Sequence, residues 1–87
     1  MNSKEEVIEL VVSNTITAAL DKKSEPSLRK KAIAEMYDLF IAGYLQAKKA
    51  VEILIEISKE DTSDDFLGVV ADARSTMNKI LKEMKEK

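Results

Sequence analysis

Helical periodicity runs through three blocks of this chain. Advancing about 100° per residue sorts residues 26–58 into a broad apolar side and a narrower charged one. Ile33, Met36, Phe40, Tyr44, Ala47, Val51, Leu54 and Ile55 share one side, and Leu28, Ala32, Leu39, Gly43, Ala50, Ile53 and Ile57 fill the adjoining arc. Their combined face is roughly 200° wide, against about 100° for an ordinary surface helix, so it has to be covered from two directions. Lys30, Lys31, Asp38, Lys48, Lys49, Glu52 and Glu56 make the solvated side. Pro26 marks the start, because a proline in the first turn forfeits no hydrogen bond; Ser24 or Glu25 is the expected cap. Gly43 lies midway. A glycine inside a helix costs about 1 kcal/mol relative to alanine, but the apolar phase passes through it and no turn residues flank it. The pattern predicts one continuous helix over 26–58, with a break near Gly43 as the alternative.

Residues 3–22 read as the first helix. Ser3 followed by Glu6 has the form of a capping box, and Glu5 suits the positive end of the dipole. Val7, Leu10, Val11 and Ala18 make one stripe, widened by Ile8, Val12 and Ala19. The many β-branched residues, and the strand-like alternation of Ile8, Leu10 and Val12, argue the other way. Length, the cap and the lack of a second strand decide for helix, with Lys22 and Lys23 supplying positive charge at its end. Asn14 falls within the apolar stripe. It either fixes oligomer register, as a single core asparagine does in coiled coils, or bonds to solvent or backbone at the edge of the core; the second is the plainer reading.

The third helix is expected over 64–85, capped by Thr62 or Ser63 with Asp64 and Asp65 in its first turn. Phe66, Val69, Val70, Ala73, Met77, Ile80, Leu81 and Met84 form its apolar stripe. The short links imply an all-α, antiparallel three-helix bundle with a long central helix, forming one domain over 1–87. At 1.5 Å per residue the outer helices would span roughly 30 Å each and the central one about 50 Å. The overhang would expose apolar surface of the kind that marks a partner or a symmetry mate. A homodimer with overhangs packed together resolves this; a break at Gly43 would make a four-helix monomer the natural answer instead.

Composition narrows the function. The chain has 87 residues, with 14 Lys+Arg against 16 Asp+Glu and a net charge of −2. Such a balance lacks the basic footprint of a nucleic-acid binder, so nucleic acid is an unlikely partner. There is no cysteine, which rules out disulfides and suits the cytosol. The first residues lack a secretory pattern, and the longest apolar run, 39–45, falls far short of the ~20 residues a membrane span needs. A soluble cytoplasmic protein is expected.

Catalysis finds little to work with. Without histidine or cysteine there is no imidazole base, no thiolate nucleophile and no zinc site of usual composition. Gly43 and Gly68 stand alone, so no phosphate-cradling loop exists. The acid pairs Glu35–Asp38 and Glu52–Glu56 lie mainly on the solvated face and lack the histidines of di-metal bundles. The acids from Asp61 to Asp72 briefly resemble a calcium loop, but Phe66 stands where the turn requires glycine, and helix capping explains the same residues. No enzyme activity, cofactor or metal is expected.

Two candidate sites remain. Arg29, Lys30 and Lys31, in the first turn of the central helix where positive charge is disfavoured, would contact an acidic partner or would simply be three exposed bases. Tyr37, Ile41, Tyr44, Leu45 and Lys48 lie within roughly 100° of one another by helical phase and straddle the edge of the apolar face. Tyrosines there would roof the core or anchor an interface; core roofing accounts less well for Ile41 and Leu45. The expected function is binding of a protein partner by a non-enzymatic regulator, inhibitor or immunity-type protein that occludes it through the central helix. Small phage and mobile-element accessory proteins share this kind of composition. An assembly or chaperone-like subunit is the alternative, and a small nucleic-acid-associated regulator the third.

Overall fold

The computed structural model describes residues 3–60 and 66–86, and among them every regular element is a helix. α1 is Ser3–Leu20, α2 Pro26–Ile41, α3 Ala47–Ser58 and α4 Leu67–Glu86. The all-α class holds. The long central helix does not: it is two helices, which makes four among the described residues.

Gly43 makes the break. Its φ is +88°, in the left-handed region that L side chains avoid. The Tyr44 amide donates to the Leu39 carbonyl at 2.9 Å and the Gly43 amide to the Phe40 carbonyl at 3.1 Å. This pair of bonds is the Schellman termination, which satisfies carbonyls that a helix end leaves without partners. Hydrophobic phase concealed it. The buried residues of α2 are Arg29, Ala32, Ile33 and Met36, and those of α3 are Ala50, Ile53, Leu54 and Ile57. The second set repeats the spacing of the first in step, so the stripe looks continuous although the backbone turns between its halves.

Pro26 occupies the start of α2, as its fixed φ favours. Glu25 is the residue before the helix and makes no side-chain cap. The link from α1 is closed instead by Asp21, whose carboxylate accepts from the Lys23 amide and the Ser24 hydroxyl, each at 2.9 Å. Those two bonds, the amide foremost, hold the Asp21 carboxyl below its ordinary range. The expected caps of the last helix, Thr62 or Ser63 with Asp64 and Asp65, lie outside the described residues, as do the first five residues of the calcium-like stretch.

α4 packs against both α2 and α3, while α2 also carries α1; α1 makes a small contact with α3 and none with α4. The array measures 45 × 32 × 16 Å, thin enough for two layers of helices at the usual 8–10 Å separation. Ile33, Met36, Leu54, Ile57, Val69 and Ile80 are fully buried at its centre. Removing each such side chain from water stabilises the fold by about 1.5–3 kcal/mol.

Among the described residues one buried side chain is charged. The Arg29 side chain has no exposure, and its Nε donates to the Ala19 carbonyl in the last turn of α1 at 2.9 Å. Nη1 and Nη2 donate to the two carboxylate oxygens of Glu60, just past α3, at 2.9 and 2.8 Å. The guanidinium carbon also lies 5.6 Å from the centre of the Phe66 ring, immediately before α4, within cation–π range. A single side chain of α2 thus bonds or stacks on residues at the ends of the other three helices. Among the described residues no buried side-chain nitrogen or oxygen lacks a partner.

Candidate partner-binding surface

The Gly43 turn decides which side chains reach solvent at this end of the bundle. Because the helix ends there and a new one begins at Ala47, Tyr37, Ile41, Tyr44, Leu45 and Lys48 do not share one helical face. Leu45 turns inward and is 5% exposed, within the core; its expected role as a contact residue is corrected to a packing one. Tyr44 and Ile41 turn outward, at 52% and 54% exposure.

Tyr37 is half-buried on another side, between α2 and α4. Its ring lies 6.3 Å from that of Phe40, tilted by 48°, and the Lys79 ammonium stands 5.7 Å from its centre. Desolvation, reinforced by the Glu83 carboxylate, pushes the Tyr37 phenol above its ordinary value. Tyr37, Lys30, Asp38, Asp72, Thr76 and Lys79 help line a cleft of about 270 Å³ between these helices. Its charges alternate in sign, so it offers no single-sign field for an ionic ligand.

Lys48 belongs to a second groove, between α3 and α4. Ala47, Val51, Leu81 and Met84 form its walls, with Lys48 and Glu52 also lining it, around about 270 Å³. Leu81 and Met84 are exposed, although both lie in the stripe that helical periodicity assigns to the core. Their own-helix pattern could not show that the α3 side chains beside them leave an open groove. Among the described residues no group of three His, Cys, Asp or Glu side chains could hold a metal ion.

The basic triad separates as well. Arg29 is interior, so its reading as an exposed base or a contact for an acidic partner is corrected: its charge is already neutralised by Glu60. Lys30 lays its side chain over α4, where a Cβ added at Gly68 would stand 3.6 Å from Nζ. Lys31 is exposed.

On α1 the packed side also differs from expectation. Thr15 and Ala19 are the buried residues, with Ile8, Val12 and Ile16 half-buried beside them. Of the stripe assigned to the core, Val7, Leu10 and Val11 face away, with Asn14 exposed beside them, while Ala18 is half-buried against the core, where the expected Val12 and Ala19 also pack. Comparison with protein-family models, with curated proteins and with solved structures finds no match to this chain.

Proposed function

We propose that this protein is a non-enzymatic binding module, a regulator, inhibitor or immunity-type protein that occludes a protein partner at the Gly43 end of the bundle. The observation supporting this is the exposure of Ile41, at the end of α2, and of Tyr44 in the turn that follows; an apolar groove with Lys48 and Glu52 among its lining residues starts at Ala47. Apolar side chains ringed by a few polar groups are the usual anatomy of a protein interface, and a tyrosine with a wet tip is a frequent hot spot. The groove would take one or two large apolar side chains from the partner. Lys48 favours an acidic group beside them.

A nucleic-acid role has less support, since Arg29 is spent on Glu60 and Lys30 lies beside acids in a cleft of mixed charge. Among the described residues no helix is long and apolar enough to cross a membrane.

The test compares immobilised wild-type protein with the double variant Ile41→Ser, Tyr44→Ala in a lysate of the source cells. A protein retained in stoichiometric amount only by the wild type is then purified and titrated against both. A loss of at least a hundredfold in affinity, with unchanged circular dichroism, is expected. Equal affinity of the two would remove the proposal.

A further inference from the structure

The Gly43 turn divides the chain into two pairs of helices. α1 packs on α2 and α3 on α4, while the consecutive helices α2 and α3 touch each other little. What holds the pairs together is chiefly α4 against α2. To this are added the Arg29 fork on Glu60 and the Arg29 guanidinium beside Phe66. All of these contacts join residues before the turn to residues after it, and none of them needs the turn itself.

The turn rests on one residue. Among the described residues Gly43 alone has a left-handed φ, and a Cβ built on it meets nothing within 4 Å. Its neighbours Ala42, Tyr44, Leu45 and Gln46 are all side chains that a helix accepts. Ala32 and Ala50, like Met36 and Leu54, stand eighteen residues apart, which is about five whole turns of helix. A helix continued through Gly43 would therefore carry both buried sets on one side. Such a helix cannot fold back, so it would take α3 and α4 away from their own α1 and α2. Each pair would then uncover a surface already complementary to the other pair, and a second copy of the chain supplies that pair. Arg29, which cannot stay buried without a partner, would find Glu60 and Phe66 on the other chain. One side chain opposes the change. Leu45 lies nine residues from both Met36 and Leu54, about two and a half turns, so straightening would point it away from the core it now joins.

We infer that Gly43 is the hinge of a domain swap, in which α2 and α3 become one helix and each copy lays its α3 and α4 on the α1 and α2 of the other. The exchange is reciprocal and closes at two subunits. Gly43 and Leu45 keep the wild type mainly in the closed monomer. The inference does not draw on the partner surface proposed above, so either can fail without the other.

Wild-type protein unfolded in urea and refolded at high concentration is expected to yield a minor dimer by light scattering, which persists on dilution. Gly43→Ala resists the left-handed turn and favours helix, and should raise the dimerisation constant at least tenfold; when dilute it stays closed and is only less stable. A cysteine pair, Lys30→Cys with Gly68→Cys, identifies the architecture, since the Lys30 side chain already reaches within 4 Å of a Cβ at Gly68 and the chain has no native cysteine. A short thiol-to-thiol cross-linker should join the two positions within one chain in the monomer fraction and between two chains in the dimer fraction, as a denaturing gel would show. A refolded wild type without dimer, a Gly43→Ala protein that folds but dimerises no better, a mass that grows beyond dimer, or a dimer cross-linked only within single chains would each overturn the inference. If Gly43→Ala does not fold, the refolded wild type with the cysteine pair decides by the same outcomes.

Discussion

Arg29 and Glu60 meet in a two-pronged ion pair, with both guanidinium Nη atoms donating to the two carboxylate oxygens at 2.9 and 2.8 Å. The pair joins the first turn of α2 to the residue group that follows α3. Arg29 is completely enclosed, while the Glu60 side chain keeps 9% of its exposure. A charge so placed is held by its partners, and breaking one side strands the other in a poor solvent.

Arg29→Met is accordingly expected to destabilise the fold by about 3 kcal/mol, with the Ala19 carbonyl losing its donor as well. Arg29→Lys should not rescue it, because one ammonium cannot reproduce three bonds in a planar fork. The double variant Arg29→Met, Glu60→Met should recover much of the loss, since a well-packed apolar pair often replaces a buried ion pair at little cost. Urea unfolding monitored by circular dichroism measures all three. A milder effect for Arg29→Met than for Arg29→Lys would contradict this account.

The two glycines separate backbone need from space. At Gly43 an added Cβ meets nothing within 4 Å, yet φ is +88°. Gly43→Ala should therefore cost about 1–2 kcal/mol through the left-handed conformation alone, and Gly43→Asn noticeably less. At Gly68 the backbone is helical and the nearest atoms an added Cβ would meet belong to the flexible end of Lys30. Gly68→Ala should be neutral or stabilise by up to about 1 kcal/mol. Thermal melts of the three variants give the order directly.

Adjacent residues in the Gly43 turn should behave oppositely. Leu45→Ala removes a core side chain and should cost about 2–5 kcal/mol. Tyr44→Ala, at a half-exposed site, should stay within about 0.5 kcal/mol of wild type. Comparable destabilisation by both would mean that Tyr44 packs more than its exposure indicates.

Tyr37 links burial to pH. Its phenol is raised by desolvation and by Glu83, so the folded state prefers the neutral form. The corresponding stability is complete below the unfolded tyrosine value of about 10 and disappears as pH rises through the higher folded value. In a Tyr44→Phe background, phenolate absorbance should show one group titrating above 10. Glu83→Gln should bring that titration back toward the ordinary value; no change would show that burial alone sets it.

Much of this architecture could be read locally. The helical class, the start at Pro26 and most of the apolar buried positions of the last three helices follow from period and propensity, which are properties of neighbours in sequence; the burial of Arg29 and the exposure of Leu81 and Met84 do not. The same logic misjudged Gly43. Ile53, Leu54 and Ile57 keep step with Ala32, Ile33 and Met36, and hydrophobic phase is blind to a turn after which the helix restarts in register. What signalled the turn was the pairing of Gly43 with apolar Leu39 and Tyr44 around it, a termination pattern rather than a periodic one.

The candidate site was legible only in pieces. Ile41 and Tyr44 were singled out because they interrupt or border a polar face, and they are exposed. Leu45 and Arg29 were misplaced because exposure is set by what lies opposite a residue, and for both that neighbour comes from elsewhere in the chain. Arg29 carries the same formal charge as Lys30 and Lys31; its bonds to Ala19 and Glu60 alone distinguish it.

On its own, the sequence determined that this chain is helical, that it lacks the side chains of histidine and cysteine chemistry, and which residues are apolar. Tertiary structure decided which of those apolar residues are covered. An apolar stripe states only that a side chain gains by leaving water, and whether it does so depends on a second surface at the right distance. For Leu54 that surface lies within the protein; for Leu10, Ile41 and Met84, none of the described residues supplies it.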